Sequence, residues 1–267
     1  MINKKIELFK QIAIDTWDRF IFSKQVNIKY SETTITENLL FKLHQHQIIN
    51  KNNDIQIYEA TDEKKNGNDL EIFLEIKPNK YLFLVVQAKK IHIATQKYKN
   101  ISHKVGNTSQ YQIDLLDNYA KLNHAIPLYL MYNYAPTFNK KNKKDYGCSL
   151  VCSNYIKNNY YSNIKNWKIP SFNDLHHNKA GICQALPLYF LGIPKYFEKF
   201  IQQVCNSKYK IFKGNEIIYE KYWKSIDEND ECTLKDSTEK KLIDNLDVFN
   251  PKYRIVIRNY IDMRKLK

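Results

Sequence analysis

Apolar residues recur at helical spacing in two segments near the start of the chain, which predicts two amphipathic helices. The first covers about residues 4–22 and the second begins near Thr34. Thr34 is followed three positions later by Glu37, a spacing typical of a capping box at a helix start. The residues that form the two apolar stripes are Ile6, Phe9, Ala13, Trp17 and Phe20 in the first helix and Ile35, Leu39, Leu40 and Leu43 in the second.

Short apolar runs separated by polar turns follow, and they predict strands. Residues 54–61 alternate between apolar and polar side chains, as a half-buried strand does. Residues 70–76 and 81–88 form two further runs that join around Pro78. Within the second run "LFLVV" is continuously apolar, so we expect this strand to be covered on both faces.

A helix between two buried strands comes next. Residues 108–124 predict the helix, with Thr108 as its candidate cap, and "IPLYLMYNY" and "CSLVCSNYI" predict strands after it. The order from residue 34 to 134 is then helix, strand, strand, strand, helix, strand. A helix that links two buried strands fits a crossover between parallel strands of one sheet, so the fold class is α/β.

The pattern weakens after about residue 155. "LPLYFLGIPKYFEKFIQQVC" predicts helix and "YRIVIRNYIDM" predicts a closing strand. We therefore divide the chain into an α/β core with an N-terminal helix, residues 1–155, and a mainly helical C-terminal extension packed on that core, residues 156–267.

Composition indicates a globular protein with a polyanionic partner. The chain is 43% hydrophobic and 26% charged, and its net charge is +14. Residues 216–247 hold ten acidic and five basic residues, so the remainder carries +19. Such an excess favours nucleic-acid binding, although Lys, Asn, Ile and Tyr also have A/T-rich codons. The five cysteines have no disulfide or zinc spacing, and no run is apolar enough to span a bilayer. We expect a soluble, cytoplasmic protein without a membrane partner.

Polar residues stand where the predicted hairpin begins and ends. Asp69 in "NGNDLEI" opens its first strand, and Gln87 and Lys89 in "VVQAKK" close its second. With Glu37 on the preceding helix and the order of elements, these residues resemble the restriction-endonuclease-like superfamily, which the PD-(D/E)xK motif marks. The resemblance covers roughly residues 30–155 and is to the Mrr-type (QxK) variant, in which Gln replaces the second acidic residue.

The resemblance implies an αβββαβ core, a mixed sheet flanked by helices, and a Mg²⁺ or Mn²⁺ site that hydrolyses phosphodiester bonds. Asp69 would supply a carboxylate, Gln87 an amide oxygen and Ala88 its main-chain carbonyl oxygen. Glu37 would hold a metal-bound water or a second ion. Lys89 would orient the attacking water or help to deprotonate it. The carboxylate, amide and main-chain carbonyl oxygens named here are ligands that Mg²⁺ prefers.

The register of the hairpin decides whether this site can form. A regular two-residue loop at Pro78 and Asn79 would pair Asp69 with Ala88. Directly opposed residues share a face, so Asp69 would then point away from Gln87. We therefore predict an odd-length loop or a β-bulge, which moves the register by one residue.

Ordinary structural roles compete for each of these residues. Asp69 also fits a turn residue after Gly67, since Asp favours turns. Lys89 and Lys90 also fit a solvated strand end, since Lys is usually exposed. For Glu37, the capping box is a sufficient explanation without any metal.

Three more polar residues adjoin the predicted site. Glu71 follows Asp69 on the same face and is either a strand-surface residue or an assisting carboxylate. Gln110 and Gln112 open the next helix, where either would be solvated or contact substrate. We take Gln110 and Lys90 as candidate substrate contacts.

We expect a metal-dependent nuclease that acts on DNA rather than RNA, in defence against foreign DNA. The first alternative is a catalytically inactive nucleic-acid-binding module with a nuclease fold, because the loss of an acid at Gln87 weakens metal binding. The second is a protein-interaction domain whose charge reflects codon usage. Cleavage of both strands would favour a homodimer, but the sequence leaves the oligomeric state and sequence specificity open.

Overall fold

The chain is an α/β protein built on a mixed open sheet that helices flank. The computed structural model describes residues 4–50, 54–60, 69–104, 110–137, 142–161, 167–176, 184–205, 208–217, 223–225 and 252–260. Thr108, Cys183 and Cys232 lie outside the described residues. None of the helices in these ranges is long and apolar enough to cross a membrane.

The described helices are α1 (Lys4–Gln25), α2 (Glu32–Asn50), α3 (Gln112–Leu122), α4 (Lys143–Tyr146), α5 (Ser153–Tyr160), α6 (Phe172–His176) and α7 (Pro194–Val204). The described strands are β1 (Ile55–Ala60), β2 (Asp69–Lys77), β3 (Lys80–Lys90), β4 (Ile126–Tyr132), β5 (Cys148–Cys152), β6 (Ala185–Pro187), β7 (Ile211–Lys213), β8 (Trp223–Ser225) and β9 (Tyr253–Ile257). From α2 to β4 the order is helix, strand, strand, strand, helix, strand, as predicted.

One sheet joins all nine of these strands. Its order is β6-β5-β4-β3-β2-β9-β1-β8, and β7 pairs with the first residues of β3. β3 and β4 run parallel with α3 between them in the chain, which confirms the parallel pair expected from a crossover. Residues 82–86 of β3 are all buried, so this strand is covered on both faces.

Helices α1 and α2 cover one face of the sheet. Their residues Phe9 and Leu39 meet Ile72 of β2 and Ile255 of β9 around a small apolar cavity. Helix α3 packs on β3 and β4 through Ile113, Leu116 and Ala120, which are buried. Successive side chains of a strand point to opposite faces, so each side chain of β3 is directed either towards α1 and α2 or towards α3.

Helix α2 begins earlier than the sequence indicates. It starts at Glu32, and the backbone N–H of Thr34 donates to Ser31 Oγ at 3.0 Å, so Ser31 is the capping residue. The predicted capping box of Thr34 and Glu37 is therefore wrong. Glu37 lies in the second turn, where its side chain is exposed.

The C-terminal region contributes more strand than predicted. The described residues beyond 155 supply β6, β7, β8 and β9 as well as most of α5 and the helices α6 and α7. Helical residues still outnumber strand residues in this part of the chain, but its strands join the sheet of the core. The closing strand itself is confirmed as β9. It lies between β1, to which it is antiparallel, and β2, to which it is parallel.

Candidate active site

The β2–β3 hairpin has the irregularity that the site requires. Pairing is regular from Asp69 opposite Gln87 to Glu75 opposite Tyr81, and it shifts by one residue before Lys77 pairs with Lys80. Asn79 in the turn has a φ of 59°, and its N–H donates to Glu75 Oε1 at 2.9 Å. This bulge brings Asp69 opposite Gln87, as predicted.

The end of β3 carries a buried amide and a buried ammonium. Gln87 is 1% exposed and Lys89 is 4% exposed. Lys89 Nζ donates to Oε1 of Gln112, the first residue of α3, at 2.7 Å. Lysine is rarely buried without a polar partner, and Gln112 supplies one here. Because Lys89 is buried, the alternative that it is a solvated residue at the end of a strand is excluded.

Lys90 belongs to the opposite face of the sheet. Its Nζ donates to the carbonyl oxygen of Tyr30 at 2.5 Å, and its backbone N–H donates to Glu32 Oε2 at 2.8 Å. Burial lowers the pKa of Lys90, and the nearby Glu32 carboxylate partly offsets that effect. The structure thus separates Lys90 from Lys89, although both lie at the same end of the sheet.

The remaining predicted residues are placed around this end in different ways. The pairing of β2 with β3 ends at Asp69 and Gln87, while Ala88 continues to pair with Leu130 of β4. The backbone of Asp69 is described, but its side chain is outside the described part. Gln110 precedes α3 and is exposed, and Gln112 makes the contact with Lys89 instead.

Glu37 lies near the start of β9. The pKa of Lys252 is raised, mainly by a hydrogen bond with Tyr253 and, to a smaller extent, by the Glu59 and Glu37 carboxylates. Tyr253 pairs with Leu70, the residue after Asp69. Glu37 belongs to α2, whose first residue Glu32 contacts the end of β3 on the face opposite α3, so Glu37 lies on the helix layer opposite α3.

A buried ion pair on β2 was not predicted. Glu71 is fully buried, and its Oε2 accepts a hydrogen bond from Arg254 Nε at 2.7 Å and forms an ion pair with Arg254 Nη2 at 2.6 Å. Tyr119 of α3 donates its hydroxyl to Glu71 Oε1 at 2.5 Å. The available signal was Arg254 inside the apolar run "YRIVI", because a charged residue in a buried strand needs a partner.

The residue types at this end would suit a magnesium ion held by few protein ligands. Mg²⁺ is often bound through one or two carboxylates and keeps waters or substrate oxygens as its other ligands. The direct pairing of Asp69 with Gln87 puts a carboxylate residue beside an amide residue. No group of three or more His, Cys, Asp or Glu side chains suited to a metal occurs among the residues whose side chains are described.

Two helix N-termini and three exposed lysines lie at the same end of the sheet. The first residues of α2 and α3 contact Lys90 and Lys89, so both helix N-termini lie here, and helix N-termini favour anions. The segment after β3 exposes Lys97, Lys99 and Lys104.

An aromatic cluster adjoins the start of α3. The ring of Tyr111 lies 5.4 Å from that of Tyr161 and 5.5 Å from that of Trp167, centroid to centroid. Lys104 Nζ lies 5.2 Å from the Tyr111 ring centroid. Tyr161 and Trp167 are half-buried, so the cluster presents partly exposed rings close to Gln112.

Comparison with known proteins places the chain in a family without naming an activity. No curated protein and no solved structure matches the chain. The model of a family of unknown function, DUF6615, matches residues 5–208. Because this match covers more than half of the chain, the protein belongs to the DUF6615 family.

Proposed function

We propose that this protein is a metal-dependent nuclease that hydrolyses phosphodiester bonds, in DNA rather than RNA. The observation that carries the proposal is the bulged hairpin, which pairs Asp69 with Gln87 while Lys89 is buried two residues further along β3. The element order from α2 to β4 agrees with a restriction-endonuclease-like core. We further propose a role in defence against foreign DNA, in the cytoplasm.

A bound Mg²⁺ or Mn²⁺ would supply charge stabilisation and a more acidic water. Asp69, Gln87 and the Ala88 carbonyl would hold the ion, whereas Glu37 lies on the helix layer opposite α3 and is assigned no ligand role here. Lys89 would hold the attacking water close to the phosphate, and its bond to Gln112 fixes the ammonium in place. Its positive charge would also offset charge that develops on the phosphate oxygens.

The surroundings suit a nucleic-acid strand. The two helix N-termini and the exposed lysines after β3 would attract the phosphate backbone. The partly exposed rings of Tyr161 and Trp167 would stack on a base beside the cleaved phosphate, since stacking of this kind tolerates any base. Cleavage of both strands would need two such sites, which a homodimer would provide.

A Lys89→Met variant tests this proposal against a matched control. Lys77→Met lies on the same hairpin at its other end, where the Lys77 side chain is 57% exposed. The proteins are incubated with supercoiled plasmid and with single-stranded RNA in Mg²⁺, Mn²⁺ or EDTA. We expect metal-dependent nicking of the plasmid that falls by about 100-fold or more in Lys89→Met and stays at the wild-type rate in Lys77→Met.

Nicking by a correctly folded Lys89→Met protein at the wild-type rate would refute the assigned role of Lys89. Absence of cleavage in every metal would refute the nuclease proposal itself. Circular dichroism establishes that each variant is folded.

A nucleic-acid-binding module without catalysis is the second candidate, and the neutral Gln87 favours it. An amide is a weaker metal ligand than the carboxylate it would replace. This function predicts binding that is equal in EDTA and in Mg²⁺ and that weakens steeply with salt. Such binding without any cleavage would select this candidate.

A further inference from the structure

The buried ion pair of Glu71 and Arg254 lies beside the proposed metal-binding residues. Glu71 is two residues from Asp69 on β2, which is about 7 Å along a strand. Arg254 is its direct neighbour on β9, in register across the parallel pair. The Arg254 guanidinium also lies 5.3 Å from the Phe73 ring centroid, so it is held against β2 at two points.

Joining β2 to β9 through this pair carries a large desolvation cost. Both groups are buried, with Glu71 at 0% and Arg254 at 6% exposed. The desolvation of two charges offsets most of their mutual attraction, so a buried ion pair is weak evidence for stability alone. A pair of apolar side chains would fasten β9 to β2 at least as well.

The charges of Glu71 and Arg254 would act electrostatically on a metal ion bound at the end of β2. A carboxylate near a bound divalent cation would attract it, and a nearby guanidinium would repel it. With both present the two effects nearly cancel. The net charge available to a metal at Asp69 and Gln87 therefore depends on Glu71 and Arg254 together.

We propose that Arg254 is a positioning residue that acts through Glu71: it holds this carboxylate away from the metal and sets the metal affinity of Asp69 and Gln87. This inference rests on the proposed metal-dependent function. It assigns a role in the site to β9, a strand that lies beyond the residues matched by the family model.

Metal binding by the full-length protein tests the inference without reference to cleavage. The free Mn²⁺ signal in electron paramagnetic resonance gives the Kd for Mn²⁺ in the absence of nucleic acid. The variants are Glu71→Gln, Arg254→Met, the double variant Glu71→Gln/Arg254→Met, and Arg254→Lys as the charge-conserving control.

Opposite shifts in the two single variants are expected. Glu71→Gln leaves a buried positive charge and should raise the Kd for Mn²⁺ about tenfold, whereas Arg254→Met leaves a negative charge and should lower it about tenfold. The double variant and Arg254→Lys should stay within about threefold of wild type. The Mn²⁺ concentration for half-maximal cleavage should shift in the same directions.

A purely structural pair would give a different pattern. All of the variants would then lose thermal stability while the folded proteins kept the wild-type Kd, and this result would overturn the inference. If Arg254→Met does not fold, equal Kd values for Glu71→Gln, Arg254→Lys and wild type would overturn it equally.

The outcome also separates this inference from the proposed function. Wild-type cleavage with an unchanged Kd in the variants would refute only the role of Arg254. A wild-type protein that neither binds Mn²⁺ nor cleaves would refute both.

Discussion

Removal of β9, the last strand among the described residues, should unfold the whole protein. β9 lies inside the sheet, between β1 and β2, although it is encoded near the end of the chain. It makes five residue pairs with each neighbour. A chain that ends at residue 251 would therefore lose contacts in the middle of the sheet, where no other described strand replaces them.

The magnitude follows from the burial of β9. Ile255, Val256 and Ile257 are each no more than 1% exposed. Full burial of an aliphatic side chain contributes about 1.5–3 kcal/mol, so these three contribute roughly 5–9 kcal/mol. The total stability of a protein is about 5–15 kcal/mol. The loss is thus comparable with the entire free energy of unfolding, before the ladder hydrogen bonds are counted.

Urea denaturation followed by circular dichroism measures the effect. We expect no cooperative transition for the chain ending at residue 251. Ile255→Ala should remain folded but lose about 2–5 kcal/mol. Ile211→Ala, a matched substitution at a residue that is 42% exposed on β7, should change the stability by less than about 1 kcal/mol. A truncated chain with the wild-type transition midpoint would refute the reasoning.

Two further predictions concern buried ionisable groups. Asp54→Asn should lower the unfolding free energy, measured with urea, by about 3–5 kcal/mol, because it removes the carboxylate that pairs with Lys5 at 3.4 Å. The control Glu7→Gln breaks an exposed ion pair and should lower it by less than about 1 kcal/mol. Equal losses in the two variants would contradict this account. Burial raises the pKa of Asp54, but a hydrogen bond from His46 and the charge of Lys5 outweigh it and lower the pKa overall. The wild-type protein should therefore hold this contribution above about pH 4, the ordinary pKa of Asp, and lose it as the pH falls through the lowered value; the loss should be absent in Asp54→Asn. Burial raises the pKa of the Cys148 thiol to about 12. Iodoacetamide at pH 8 should therefore leave Cys148 unmodified in the folded protein and label it in urea, as measured by peptide mass spectrometry. Rapid labelling of Cys148 in the folded protein would contradict its burial.

Local patterns were sufficient wherever neighbouring residues decide the structure. The unbroken apolar run of residues 82–86 predicted a strand covered on both faces, and that strand is β3. The bulge was predicted from the period of two in a strand, because Asp69 and Gln87 could share a face only if one residue was added. The exposed and buried sides of α1 followed from helical spacing in the same way.

Helix ends were less determined by the sequence, because several residues compete for each cap. Both Ser31 and Thr34 are good capping residues, and the sequence favoured Thr34 through its spacing to Glu37. The contacts of Lys90 with Tyr30 and Glu32 are made at the earlier start of α2. Tertiary contacts thus coincide with the cap at Ser31 and leave Glu37 exposed in the second turn.

Only the tertiary structure decided the partners that are distant in sequence. The strand "YRIVI" was identified from its apolar residues, but its position between β1 and β2 depends on pairing across some 180 residues of chain. The pairs of Glu71 with Arg254 and of Lys89 with Gln112 depend on how β9 and α3 pack on the sheet. Periodicity reports which face of an element is buried, because it reflects the geometry of one segment. It carries no information about which other segment covers that face, since many apolar surfaces satisfy the same pattern and side-chain packing selects among them.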